Sequence, residues 1–411
     1  MQNKMNQATG SSSVTKMMKI IFPCVLTISM VADQAGAVGF RLPNQDPDAI
    51  ARGNAFAATA DNPSAIYYNP AGITQMEGYN LRAGIYAISA NTQFKSPTGK
   101  TASTDDSLQA VPQFYFVASP TNQPISFGFG VYVPYGLSLD WGKNAPFNTA
   151  AQKGSLTYFC FNPVVAWHVT KTLSFGIGPT INYSQASLDR AIGNIPGDQF
   201  EFKGHALDYG FNCGLMWQPD PMWSFGINYR SPTKLNYDGS ISTTPSPPYP
   251  PKTGTGASII FPQFVVGGIS FRPTTNWNFE VDVDWTQWAA LNSVTFNDPV
   301  LGNPSLPFDY RNSFMFETGL TRQLGHGYYA SLGYIYSQNS SPDTTYNPLI
   351  PDSDLSLGSV GLGHRGKNWD WSIAYHFAYG DRTIHNNINE SVDGNYKTFN
   401  NAFNVAATFK F

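Results

Sequence analysis

The chain has 411 residues, of which only 12% are charged and 15% aromatic, with 37 Gly, 30 Pro and a formal net charge of −3. A soluble domain normally carries about a quarter charged residues to clothe its surface, and a nucleic-acid partner calls for a basic excess; neither condition is met. Beyond residue 31 no run approaches the roughly 18–20 apolar residues of a spanning helix, so residence in a membrane requires a closed β-barrel, because open sheet edges are not tolerated in lipid.

Residues 1–37 read as a secretory signal. Lys16 and Lys19 supply the positive region, Ile20–Val31 the apolar stretch and Ala35-Gly36-Ala37 the cleavage site. Met17 and Met18 are alternative starts. Cys24 falls in this leader outside any lipobox, and Cys160 and Cys213 allow at most one disulfide.

Residues 38–78 do not alternate as a strand does. Asp48–Thr59 is Ala-rich and of mixed period, which suits a short helix, while Asn62-Pro63 and Asn69-Pro70 preset tight turns. A compact, broken segment ahead of a barrel is expected to be a plug; a loosely ordered periplasmic tail is the alternative.

From Tyr79 to the end, fourteen period-2 segments succeed one another, from 79–94 to 397–411. In Trp277–Thr286, Trp277, Phe279, Val281, Val283 and Trp285 share one face, and Asn278, Glu280, Asp282, Asp284 and Thr286 the other. In a barrel the aromatic face meets lipid and the carboxylates line a wet lumen. Trp369, Trp371, Ile373, Tyr375, Phe377 and Tyr379 repeat the pattern, and Trp and Tyr at strand ends suit an interfacial girdle. Very short links such as Thr170-Lys171 alternate with long ones such as 137–154 and 242–256, as periplasmic turns alternate with outer loops. The chain ends on Phe411, a C-terminal signature of the kind read by barrel assembly machinery. The predicted fold is an all-β, transmembrane antiparallel barrel of about fourteen strands over 79–411, with an N-terminal plug containing short helices over 38–78.

In order along the chain, several motifs resemble those of the FadL/TodX family of outer-membrane transporters for long-chain fatty acids and other hydrophobic compounds. Asn69-Pro70-Ala71 resembles the NPA motif of that family's N-terminal hatch, and Gly39-Phe40 the start of its mature chain. Pro134-Tyr135-Gly136-Leu137 with Trp141 resembles the end of the third strand. Tyr229-Arg230-Ser231 with Tyr237-Asp238-Gly239 is similar to the seventh, and Phe261-Pro262 with Trp285-Thr286-Gln287-Trp288 to the eighth and ninth. Pro351-Asp352-Ser353-Asp354 resembles the approach to the twelfth. The resemblance covers essentially all of the mature chain. It implies a barrel closed by the hatch, capture of ligand in an apolar groove between outer loops, and passive sideways exit through a gap at a kinked third strand. It also places that groove on the third and fourth outer loops; here the third, 188–203, is short, which implies a reduced or differently built groove.

Read as chemistry, a fatty acid needs an apolar slot and a head-group donor. Phe147, Ile195, Phe200 and the Pro-rich loop 242–256 are candidate walls. Arg190, Lys203 and Arg311 are candidate head-group donors, with Asp189, Glu201 and Asp309 as competing partners in plain surface ion pairs. Glu280, Asp282 and Asp284 are expected to pair with lumen cations. Pro134 cannot donate a ladder hydrogen bond, so Pro134, Tyr135 and Gly136 mark either a strand break or a simple strand end.

The six histidines lack metal-ligand spacing and no G-x-S-x-G occurs, so no enzyme and no cofactor are expected. The expected function is passive transport of long-chain fatty acids or hydrocarbons across the bacterial outer membrane. The expected partners are that ligand, outer-membrane lipid, lipopolysaccharide and the assembly machinery, the chain acting as a monomer without nucleic acid. The alternatives are a water-filled diffusion porin and a structural or adhesive barrel.

Overall fold

A strand with one apolar face satisfies its backbone in lipid only by pairing around a closed ring, and the chain does so. The computed structural model describes residues 39–106, 108–193, 197–244, 252–297 and 303–411. The predicted leader and Ile195 lie outside them, as do residues 245–251 of the Pro-rich loop.

The described residues form fourteen antiparallel staves. They are β1 Gly78–Lys95, β2 Leu108–Ser119, β3 Ile125–Asp140, β4 Lys153–His168, β5 Leu173–Arg190 and β6 Gln199–Trp217. Staves β7 (Trp223–Arg230 and Thr233–Thr244) and β8 (Lys252–Phe261 and Phe264–Thr274) are each broken once. Then follow β9 Trp277–Thr286, β10 Ser313–Gly325, β11 Tyr328–Ser337, β12 Leu355–Arg365, β13 Trp369–Ile384 and β14 Gly394–Lys410. The ring closes where β1 pairs with β14 from Asn80↔Lys410 to Lys95↔Asn395. No helix among the described residues is long and apolar enough to cross a membrane.

Several boundaries differ from the sequence reading for one reason. Pro232 and Pro262 carry no N–H, so β7 breaks at Ser231-Pro232 and β8 at Pro262-Gln263, where one continuous strand is expected in each case. β9 ends at Thr286, and a 3₁₀ turn at Trp288–Ala290 leads to a short outer strand, Ser293–Asn297. β3 runs on to Asp140, past residue 136 where the sequence reading ends it.

The face assignment for β9 holds. Phe279, Val281 and Val283 are exposed on the outside of the ring, while Glu280, Asp282 and Asp284 are buried inside it. The lumen they face is filled, not wet. Residues 39–60 and 62–74 are buried within it, folded as two single-turn helices, α1 Pro47–Ile50 and α2 Ala65–Tyr68, and a 3₁₀ helix at Pro70–Gln75. The predicted helix over 48–59 shrinks to α1, capped by Asp46 with Pro47 in its first turn; after it the backbone turns and spends its N–H groups on the wall.

Candidate functional site

The inner segment docks on one strip of wall. The Phe56 and Ala57 N–H groups donate to Asp282 Oδ2 at 2.9 and 2.8 Å. Those of Ala58 and Thr59 donate to Glu280 Oε1 at 2.8 and 3.2 Å. Arg52 pairs with Glu280 at 3.0 Å and Arg41 with Asp284 at 2.7 Å. Two guanidinium groups therefore pair with Asp284 and Glu280, and four turn amides hydrogen-bond Asp282 and Glu280, the three carboxylates that alternation places on one face of β9; charge-assisted bonds of this kind are about twice as strong as neutral ones. On the far side, Arg82 of β1 bridges Asp46 and Asp48. Burial alone would raise the Asp48 carboxyl, but Arg82 and Arg365 hold it below its usual value.

Asn69 of the Asn-Pro-Ala motif joins segment to wall. Its side-chain amide donates to the carbonyls of Ala57 (2.7 Å) and Leu215 of β6 (3.1 Å), while its oxygen accepts the Ala71 N–H at 3.2 Å, capping the 3₁₀ helix. Pro70 occupies the first helical position. The wall is glycine where this backbone comes closest: a Cβ on Gly214 would lie 2.1 Å from Asn69 Oδ1, and one on Gly226 1.9 Å from the Ala57 carbonyl.

The tip, Gly39–Leu42, meets Pro134–Gly136, so the structure brings two sets of sequence candidates together. β2 and β3 pair only over Phe114↔Val131 to Ala118↔Phe127. Beyond Val131, β3 leaves β2 and every residue from Tyr132 to Leu139 is buried. The cause is a bulge against β4. Tyr132 opposes Cys160 and Tyr135 opposes Tyr158, so three steps of β3 match two of β4. Among the described residues β3 gives the outer half of β2 no register pair, and the two chains meet again where the Asp105 N–H donates to the Asp140 carbonyl at 3.0 Å. Backbone groups freed in this way need other partners, and the tip provides them. Leu42 N–H donates to the Pro134 carbonyl (2.8 Å), Gly136 N–H to the Phe40 carbonyl (2.9 Å), and Gln45 Nε2 to the Val133 carbonyl (2.7 Å).

Gly39 holds a φ of +64°, and a Cβ there would stand 2.7 Å from the Trp288 ring, so only glycine fits. Phe40 packs edge-on against Trp288 and Phe261, with centroids 5.0 and 5.4 Å away. Phe40 also lines an apolar cavity of about 100 Å³ at the outer end, walled by residues such as Leu156, Phe202, Phe296 and Ile350. Ser155 and Ser187, bonded to each other at 2.7 Å, are the polar side chains of its lining, and no charged side chain borders it among the described residues.

The three candidate head-group cations occupy different settings. Lys203 is paired with Glu201 and is 67% exposed. Arg311 is exposed away from the cavity, its N–H on the Ser340 carbonyl. Arg190 lies over the ring of Phe200, 5.1 Å from its centroid, and donates to the Thr149 carbonyl at 3.3 Å, leaving Nε without a partner. Phe200 in turn packs on Phe296 of the cavity wall (5.7 Å), which places Arg190 at the cavity rim. Phe147 is buried in an aromatic cluster with Phe94 and Trp141 rather than at the cavity. Sequence reasoning missed Arg41, Arg52 and Gln45; two arginines eleven residues apart, in a chain so poor in charge, are a signal that could have found the first two. Among the described residues no group of His, Cys, Asp and Glu could hold a metal.

A closed barrel with an occupied lumen and an apolar cavity at its outer end is the architecture of an outer-membrane transport barrel. The chain belongs to the outer membrane protein transport protein family (OMPP1/FadL/TodX), whose model matches residues 28–411, and it resides in the outer membrane. It is 20% identical to the long-chain fatty acid transport protein of Escherichia coli K12, over 85% of this chain and 90% of that one. It is 21% identical to outer membrane protein P1 of Haemophilus influenzae, over 92% and 94%. In structure it matches a Pseudomonas aeruginosa FadL homologue with a TM-score of 0.78 at 18% identity, covering 91% and 100% of the two chains. The Pseudomonas putida toluene transporter TodX follows with 0.71 at 16%, covering 93% and 100%.

Proposed function

We propose that the chain carries predominantly hydrophobic molecules passively across the outer membrane, from the apolar cavity past a movable hatch and out through the wall between β2 and β3. One observation carries this reading. Phe40 lines the cavity while its carbonyl accepts the Gly136 N–H, so a ligand entering the cavity presses on the residue that fills the wall's break. Gly39, Phe40, Asn69, Pro70 and Ala71 are then hatch residues, and Pro134, Tyr135 and Gly136 border the lateral opening. The hatch spans 38–78, after removal of the leader 1–37. An engineered apolar cavity of about 150 Å³ stays dry and takes up benzene; this one, of about 100 Å³, is smaller, so a ring or a longer chain enters by displacing its floor.

Head-group recognition falls to Arg190, whose Nε is free at the rim, rather than to Lys203 or Arg311. No reaction is assigned to the chain, and assembly machinery inserts a barrel whose seam is fastened where the Phe411 N–H and carbonyl pair with Tyr79 at 3.0 Å each. The barrel works as a monomer among lipid and lipopolysaccharide.

The test is removal of Gly39–Met76 followed by single-channel recording and uptake of a labelled hydrocarbon. The intact protein should conduct little and the truncated one steadily. Steady conductance by the intact protein would favour a diffusion porin. A Phe40→Ala barrel whose uptake equals that of the parent would remove the ligand-to-hatch coupling.

A further inference from the structure

Four arginines are buried among the described residues, each no more than 4% exposed: Arg41, Arg52, Arg82 and Arg230. Three have carboxylates: Asp284 for Arg41, Glu280 for Arg52, and Asp46 with Asp48 for Arg82. Arg230, the last residue of the first piece of β7, has none within ion-pair distance among the described residues. Its Nη1 donates to Cys160 Sγ at 3.5 Å and its Nη2 to the Tyr132 hydroxyl, which itself donates to Asn162 Oδ1 at 2.7 Å. The rings of Tyr67, Tyr132 and Phe264 surround the guanidinium at 5.4, 5.3 and 5.9 Å, and Nε has no hydrogen-bond partner. Buried charges are ordinarily paired, because a lone one forfeits its hydration without compensation. The barrel pairs three lumen arginines with carboxylates and surrounds the fourth with neutral dipoles and ring faces.

Tyr132 and Cys160 are the last register pair of β3 and β4 before the bulge, so Arg230 faces the point where the wall opens. Tyr67 comes from α2 of the hatch, and the Phe264 ring that Arg230 approaches is also covered by Arg41, 3.6 Å from its centroid. Displacement of the hatch would uncover Arg230 beside the break. The cavity at the outer end offers no charge to a carboxylate, and Arg190 stands at its rim. A carboxylate crossing the lumen therefore passes from one unpaired guanidinium to another.

We propose that Arg230 is an internal transit site for the carboxylate of an amphipathic ligand, engaged after the hatch moves and before the ligand leaves between β2 and β3. This rests on the transport reading above and commits it to ligands with an anionic head as well as neutral ones. At Arg230 the guanidinium presents its free Nε and an Nη to a carboxylate in the bidentate manner, taking the place of the Tyr67 ring face.

The experiment is uptake of labelled oleate and of oleyl alcohol by cells whose own outer membrane passes neither, expressing the full chain or its Arg230→Gln, Arg230→Lys or Arg190→Ala variant. For Arg230→Gln the maximal rate for oleate should fall about tenfold, the loss of roughly one charged hydrogen bond, with oleyl alcohol unchanged within about twofold. Arg230→Lys should recover much of the oleate rate, whereas Arg190→Ala should raise the half-saturating oleate concentration instead. Equal loss for both probes would show Arg230 to be structural, and no loss for either would show it idle; each overturns the inference. Uptake of oleyl alcohol but not oleate by the parent chain would overturn it while leaving the transport reading intact. Uptake of neither probe by the parent would end both.

Discussion

The Leu42 N–H donates to the Pro134 carbonyl at 2.8 Å, so a residue of the hatch serves as the missing ladder partner of a wall strand. The bulge that creates the vacancy is one residue long, since Tyr132 and Tyr135 face Cys160 and Tyr158. Deleting Pro134 alone restores the two-residue period. The expected result is a barrel that still folds and shifts on heating in a gel, in which β3 pairs with β2 beyond Val131 and uptake drops to the level of cells without the protein. Uptake at the parent's rate would show that ligand leaves by another path.

Gly214 and Asn69 test the hatch seat from opposite sides. A methyl at 214 meets Asn69 Oδ1 at 2.1 Å, an overpacking that costs about 1–3 kcal/mol. Asn69→Ala strips donors from the Ala57 and Leu215 carbonyls and loses a cap, at about 0.5–2 kcal/mol for the cap. Both variants should raise hydrogen exchange at 56–75 and the frequency of brief conducting events, with the barrel's own exchange unchanged.

Asp282 is the carboxylate of the docking strip that holds backbone amides with no cation of its own. Asp282→Asn keeps the shape and removes the charge, weakening two bonds by an amount on the order of 1–3 kcal/mol. Limited proteolysis should then cut within 52–62 faster than in the parent. Glu280→Gln, which also leaves Arg52 buried without its partner, should be the more severe of the two.

Among the rim cations, Lys203→Ala breaks an exposed pair with Glu201 and should move stability by no more than about 1 kcal/mol, with uptake unchanged. Arg311→Ala should be equally silent. Arg190→Ala should weaken uptake of carboxylates at low concentration and leave that of hydrocarbons as it was. A competition assay with oleate and a hydrocarbon separates these outcomes.

Alternation made the staves legible, because lipid on one side and packed segment on the other enforce a strict inside and outside along strands such as Trp277–Thr286. It identified Glu280, Asp282 and Asp284 as lumen groups needing cations, and Arg52 and Arg41 meet that need for Glu280 and Asp284. What alternation does not carry is which segment pairs with which across more than two hundred residues. Hence the lumen read as wet, and Asp282 took amides where a cation was expected. The strand breaks at Pro232 and Pro262 depend on a single missing N–H each, easily lost within a long apolar pattern. Pro134 read equally as a break or an end, and only the register against β4 shows that β3 continues, displaced inward.

The docking strip also fixes when the hatch can be seated. The amides of Phe56 and Ala57 wait for Asp282, 226 and 225 residues downstream, so this contact cannot form while the earlier staves assemble on their own. Contacts of such sequence separation form late and slowly. Until β9 joins the sheet, the three carboxylates have no partners, and a nascent barrel would be leaky and acidic inside. Closure against leakage therefore cannot precede β9, and a slow mutant of the strip is expected to harm the cell through a permeable intermediate rather than through failed transport.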